Sequence, residues 1–97
     1  MLTGAQKTKL RGIGQTTKDM LIVGQAGVTP ALLLELKRLL NTHELVKLRF
    51  AGADRHQRAA LAEEIATKAT CEHVGSVGST ALFYVENSDS SKRSIEL

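Results

Sequence analysis

Ninety-seven residues, 42% of them apolar and drawn mainly from Leu, Ile, Val and Ala, describe one small domain with a single core and exclude a second. Aromatic residues are 3% of the chain, too few for a base-stacking platform, and a single cysteine, Cys71, excludes an internal disulfide framework and fits a reducing compartment. The net charge of +3 hides a split: residues 1–58 carry ten Lys/Arg against four Asp/Glu and residues 59–97 carry three against six, which favours one basic surface and a nucleic-acid partner. No apolar run reaches membrane-spanning length and no signal-like segment opens the chain, so a cytoplasmic protein with no membrane partner is expected.

Thr3 followed by Gln6 is a capping box that opens a short helix, with Leu10 and Ile13 inward and Gly12 and Gly14 expected to end it. Lys7 and Arg11 share its outer ridge, where two like charges four residues apart repel by a few tenths of a kcal/mol, roughly, and a polyanion would relieve them. Residues 20–23 are continuously apolar and predict a short buried strand. The strand runs into Gly24-Gln25-Ala26-Gly27, a Gly-x-x-Gly loop in which two glycines let the backbone turn sharply and approach a ligand closely. Thr29 is a good N-cap and Pro30 suits the first helical position, which puts the positive end of a helix beside the loop. Phosphate is the natural guest of such an arrangement.

That helix is predicted over 30–41, with Leu32, Leu33, Leu36, Leu39 and Leu40 in one arc and Leu34 outside it. In residues 45–50, Val46, Leu48 and Phe50 alternate with Lys47 and Arg49, the signature of a strand with one apolar and one cationic face. Asp54 and Gln57 form a second capping box ahead of a helix over 55–69, whose inner face is Leu61, Ala62, Ile65 and Ala69. Two strands, 73–77 and 80–85, join through Gly78-Ser79, and the serine-rich residues 87–97 are expected to be a flexible tail behind a single domain of residues 1–86. The order α-βαβαββ implies an α/β two-layer sandwich, a helical layer over a four-stranded mixed sheet whose open face displays Lys47 and Arg49.

Other chemistry finds little support. Neither Lys nor Ser/Thr follows Gly27 in the order a nucleotide P-loop requires. Cys71-Glu72-His73 lacks a second ligand pair, with His43 and His56 in unrelated elements, so no metal is expected. There is no nucleophile-and-base constellation, so neither an enzyme nor a cofactor is expected.

The strand-Gly-x-x-Gly-hydrophobic-Thr run resembles the CRM domain, named for chloroplast RNA splicing and ribosome maturation. So do His43-Glu44-Leu45-Val46-Lys47-Leu48, the terminal Gly75, Gly78 and Leu82-Phe83-Tyr84, and the opening Leu2-Thr3-x-x-Gln6-Lys7-x-x-Leu10-Arg11, which looks like stand-alone bacterial YhbY-like members. The likeness covers about residues 2–85. It implies a fold similar to the C-terminal domain of translation initiation factor 3, RNA binding without catalysis, and association with precursors of the large ribosomal subunit. The family's loop falls on Gly24, Gln25, Ala26 and Gly27, with Thr29 behind it, and its basic positions fall on Lys7, Arg11, Lys47 and Arg49. Two positions depart from the pattern: Gln25 stands where the family usually has a cation, and Val85 where an arginine is common.

The expected partner is therefore structured RNA, in particular large-subunit ribosomal RNA in precursor particles, bound by a monomer. Gly24, Gln25, Ala26, Gly27 and Thr29 would hold a backbone phosphate, and Lys7, Arg11, Lys18, Lys47 and Arg49 would extend the contact. The alternative is a protein-interaction module that docks on a ribosomal protein or assembly factor, a reading favoured by the two missing cations.

Overall fold

In the computed structural model, which describes residues 2–86, each helix begins at a residue whose side chain satisfies a first-turn N–H. Thr3 Oγ1 accepts from the Gln6 N–H (3.2 Å) and Gln6 Oε1 from the Thr3 N–H (2.9 Å), opening α1 (Gly4–Gln15). Thr29 Oγ1 accepts from the Leu32 N–H (3.1 Å) ahead of α2 (Pro30–His43). Asp54 and Gln57 exchange bonds of 2.8 and 2.9 Å at the start of α3 (Arg55–Lys68). The strands are β1 (Leu21–Val23), β2 (Leu45–Phe50), β3 (Glu72–Val77) and β4 (Thr80–Tyr84). The expected tail over residues 87–97 lies outside the described residues.

The strands form one mixed sheet in the order β1-β2-β4-β3, the α/β arrangement expected. β1 and β2 run parallel because α2 carries the chain between them, while β4 is antiparallel to both its neighbours. Gly78, at φ +57°, begins the two-residue connection between β3 and β4. The turn is tied to the sheet by the bond from the Phe50 N–H to the Ser79 carbonyl (2.8 Å).

Period-two alternation sorts the core. Val46, Leu48 and Phe50 of β2 join Val23, Ala81 and Phe83 under Leu36 and Leu40 of α2 and Ala62 and Ile65 of α3. These two helices form the expected layer. The opposite face is partly covered instead of open: Leu10 of α1, fully buried, packs with Leu45, Val74, Leu82 and Tyr84.

Two local expectations are corrected. Gly12 and Gly14 do not end α1, which continues to Gln15 and closes where the Thr16 and Thr17 hydroxyls donate to the Ile13 carbonyl (3.1 and 2.9 Å). Gly14 serves contact: a Cβ there would stand 2.3 Å from Leu82 Cδ1. Residues 20–23 are not wholly buried either. β1 is an edge strand, and Ile22 on its alternate face is 61% exposed.

The two helical glycines should therefore respond oppositely to alanine. Gly14→Ala overpacks the contact with Leu82 and should lower stability by about 1–3 kcal/mol. Gly12→Ala, with nothing within 4 Å of its Cβ, should raise it by roughly 0.5–1 kcal/mol. Urea unfolding of the two variants beside the parent chain reads both signs.

Candidate nucleic-acid interface

The loop after β1 is a turn closed by the Gly27 N–H donating to the Gly24 carbonyl (3.0 Å). Gly27 takes φ +70°, which a side chain disfavours, whereas Gly24 has open space around the position of a Cβ. One glycine is thus required by the turn, and the other leaves backbone accessible from outside. Gly24, Gln25 and Ala26 are exposed and Thr29 is half-buried.

The helix start behind this loop offers fewer donors than the sequence suggests. Pro30 has no N–H, Leu32 donates to Thr29 Oγ1, and Leu33 donates to the Thr29 carbonyl (3.1 Å). The Ala31 N–H is left as the first-turn donor without a helical acceptor, alongside the α2 dipole and the loop's own amides.

The five cations expected at the site fall into different environments. Lys47 Nζ is half-buried under α1 and donates to the carbonyls of Gly14 (3.2 Å) and Thr17 (3.3 Å), so its ammonium holds the end of α1 to the sheet. That is a correction to the displayed role expected for it: α1 occupies the face onto which it points. Arg49 is exposed but pairs with Asp19 at 3.0 Å, a surface pair of the kind that contributes at most about 1 kcal/mol. Lys18 is exposed in the same α1–β1 linker. Arg11 is exposed on α1, with its stem over Gly75, where a Cβ would stand 2.8 Å from Arg11 Cδ. Lys7 is half-buried, close enough to the β3 residue His73 for its charge to be felt there.

The registers connect these places. Ile22 pairs with Arg49, Arg49 with Thr80 and Thr80 with Val77, so four side chains share one cross-strand row on the face that α1 occupies farther along. Ile22 and Val77 are 61% and 73% exposed at its two ends. The row spans about 14 Å across the four strands, from the strand that feeds the loop 24–27 to the groove beneath α1. Sequence patterning missed it because pairing register, and not composition, places Ile22 beside Arg49.

Outside this surface, burial pushes the Cys71 thiol up to about 11, so it is protonated and unreactive at neutral pH. No cluster of three or more His, Cys, Asp or Glu gathers among the described residues, and no helix among them is long and apolar enough to cross a membrane. His73 stacks on Phe83 at 5.3 Å, with Nε2 2.9 Å from Ser76 Oγ. Desolvation chiefly, with the Lys7 charge, holds its imidazole below the ordinary value of 6.5.

The pattern of the CRS1/YhbY (CRM) domain matches residues 2–84. A Pseudomonas aeruginosa protein named "Probable RNA-binding protein" is 42% identical over 86 residues, covering 89% of this chain and 83% of the relative. An RNA-binding protein of Haemophilus influenzae is 30% identical over 83 residues, covering 86% and 84%. The solution structure of a Staphylococcus aureus protein superposes with a TM-score of 0.84 at 24% identity, covering 99% of this chain and all of the other, and shares the fold.

Gly27→Ala should cost on the order of 1 kcal/mol through its positive φ, while Gly24→Ala leaves the melting temperature unchanged. For His73, the unfolded chain binds more protons than the folded one below pH 6.5, so stability is full above that pH and falls as it drops. Chemical denaturation across that range should show a shallower acid loss in His73→Gln than in the parent chain.

Proposed function

The chain belongs to the CRS1/YhbY (CRM) domain family, and from that premise we propose that it is a noncatalytic RNA-binding protein that associates with precursors of the large ribosomal subunit. The observation that carries the RNA reading is the accessible Gly24–Gly27 backbone on an edge strand of only three residues. About 10 Å of strand separates that loop from the linker carrying Lys18 and Asp19, where Asp19 pairs with Arg49 of β2. The names of the relatives support the same reading, and the family's association with ribosome maturation supports the ribosomal destination.

In this reading Gly24, Gln25, Ala26 and Gly27 turn their backbone toward one phosphate, Gln25 adds neutral hydrogen bonds, and Thr29 keeps the α2 start in place. Arg49 exchanges its exposed carboxylate partner for a phosphate at small cost. Lys7, Arg11 and Lys18 add long-range attraction, and Lys47 contributes by fixing α1. Recognition follows the placement of phosphates and the shape of the RNA, consistent with a chain that is 3% aromatic.

Three to four neutralised phosphates imply a log–log salt slope of roughly −2 to −4 for binding to a structured RNA. Combining Lys18→Glu with Arg49→Glu should weaken that binding by at least about tenfold, since each lost charge-assisted contact is worth 1 kcal/mol or more. A slope near zero, or unchanged affinity in the double variant, contradicts the proposal. The ribosomal part is read separately, by gradient sedimentation of a lysate at two salt concentrations. Comigration with large-subunit precursors that salt weakens is expected, and residence at the top of the gradient under both conditions contradicts it.

A further inference from the structure

The groove under the C-terminal half of α1 is a concavity that phosphate binding at residues 24–27 leaves unused. It encloses about 530 Å³, within the span of small-molecule sites. The Arg11 stem rests on Gly75 of β3 and Leu82 of β4 packs against Gly14 of α1, so the glycines let these side chains lie flat against the walls and leave the space between Arg11, Val77 and Thr80 open. Arg11 crosses above Gly75, and Lys47 supplies a second positive charge in the wall. Thr8, Gln15 and Ser76 add neutral donors and acceptors around the rim.

No described residue of this lining is acidic. A cleft of similar size, about 550 Å³, is lined on the far side of the sheet's end by Glu72 and Glu86 with no Lys or Arg. Charge therefore separates the two concavities, and an anionic guest fits only the first. A free phosphate would leave the 73% exposed Val77 uncovered, whereas a nucleotide brings a flat base as well as a phosphate. In a chain with so few aromatics, the Arg11 guanidinium is the planar group available for stacking.

We infer that this groove takes one unpaired ribonucleotide of the bound RNA, its base over Val77 and against the outer face of the Arg11 guanidinium, which the bare Gly75 backbone lets lie flat. The inference rests on the RNA-binding reading and deepens it. The cross-strand row Val77–Thr80–Arg49–Ile22 then leads the strand from the groove toward the loop 24–27.

The test uses the full chain and two labelled RNAs, a blunt duplex and the same duplex carrying a single-nucleotide bulge, read by fluorescence anisotropy. The bulged RNA should bind about tenfold tighter, the scale of one stacked base. Gly75→Ala displaces only the flexible Arg11 stem, and Val77→Ser alters an exposed side chain. Both should bring the bulge preference to near parity, with duplex affinity and melting temperature unchanged. Equal binding of the two RNAs by the parent chain overturns the inference and leaves RNA binding standing. A bulge preference that survives both variants overturns the groove as its seat. Binding of neither RNA defeats the RNA-binding reading and the inference with it.

Discussion

The docking of α1 on the second face of the sheet sets the surface of this protein. Leu10 enters a cluster with Leu45, Val74, Leu82 and Tyr84, Gly14 admits Leu82 where a methyl group would not fit, and Lys47 ties the carbonyls of Gly14 and Thr17 to β2. Removing the Leu10 side chain would forfeit a fully buried leucine, a change worth about 2–5 kcal/mol in a well-packed core. Because α1 lies over β3, β4 and the Leu45–Lys47 end of β2, it creates the groove beneath itself and leaves Ile22 and Arg49 exposed beside it.

The same docking divides the cations by what each can do. A lysine whose ammonium already donates to the Gly14 and Thr17 carbonyls gives up two hydrogen bonds and loosens the end of α1 if it leaves them. An exposed arginine beside one aspartate can change partners cheaply, because solvent already screens the pair. Lys47 and Arg49, two residues apart on one strand and alike in sequence pattern, therefore differ in role. The strand points both to the same face, but only Lys47 lies beneath the helix.

Most of the secondary structure was legible because it rests on local chemistry. Capping residues marked the starts of all three helices, alternation marked β2 to the residue, and Gly78-Ser79 marked the hairpin. The loop 24–27 was legible for the same reason. What the sequence did not disclose depends on contacts between distant segments. Gly14 looks like a helix terminator until Leu82 is placed beside it, and the apolar run 20–23 looks buried until β1 proves to be an edge. Opposition of Ile22 and Arg49, and of Gly75 and Leu82, follows from register alone. The family pattern identified the partner class, while the groove and the cross-strand row needed the fold.

In the proposed mode of binding, RNA meets this protein along one end of the sheet, from the loop 24–27 across the row to the groove under α1. Titration of the isotopically labelled chain with a structured RNA, followed residue by residue through backbone amide chemical shifts, tests it most directly. The largest changes are expected at residues 24–27, Ala31, Lys18, Arg49 and residues 75–80. Changes confined to α3 and the cleft bounded by Glu72 and Glu86 would contradict it.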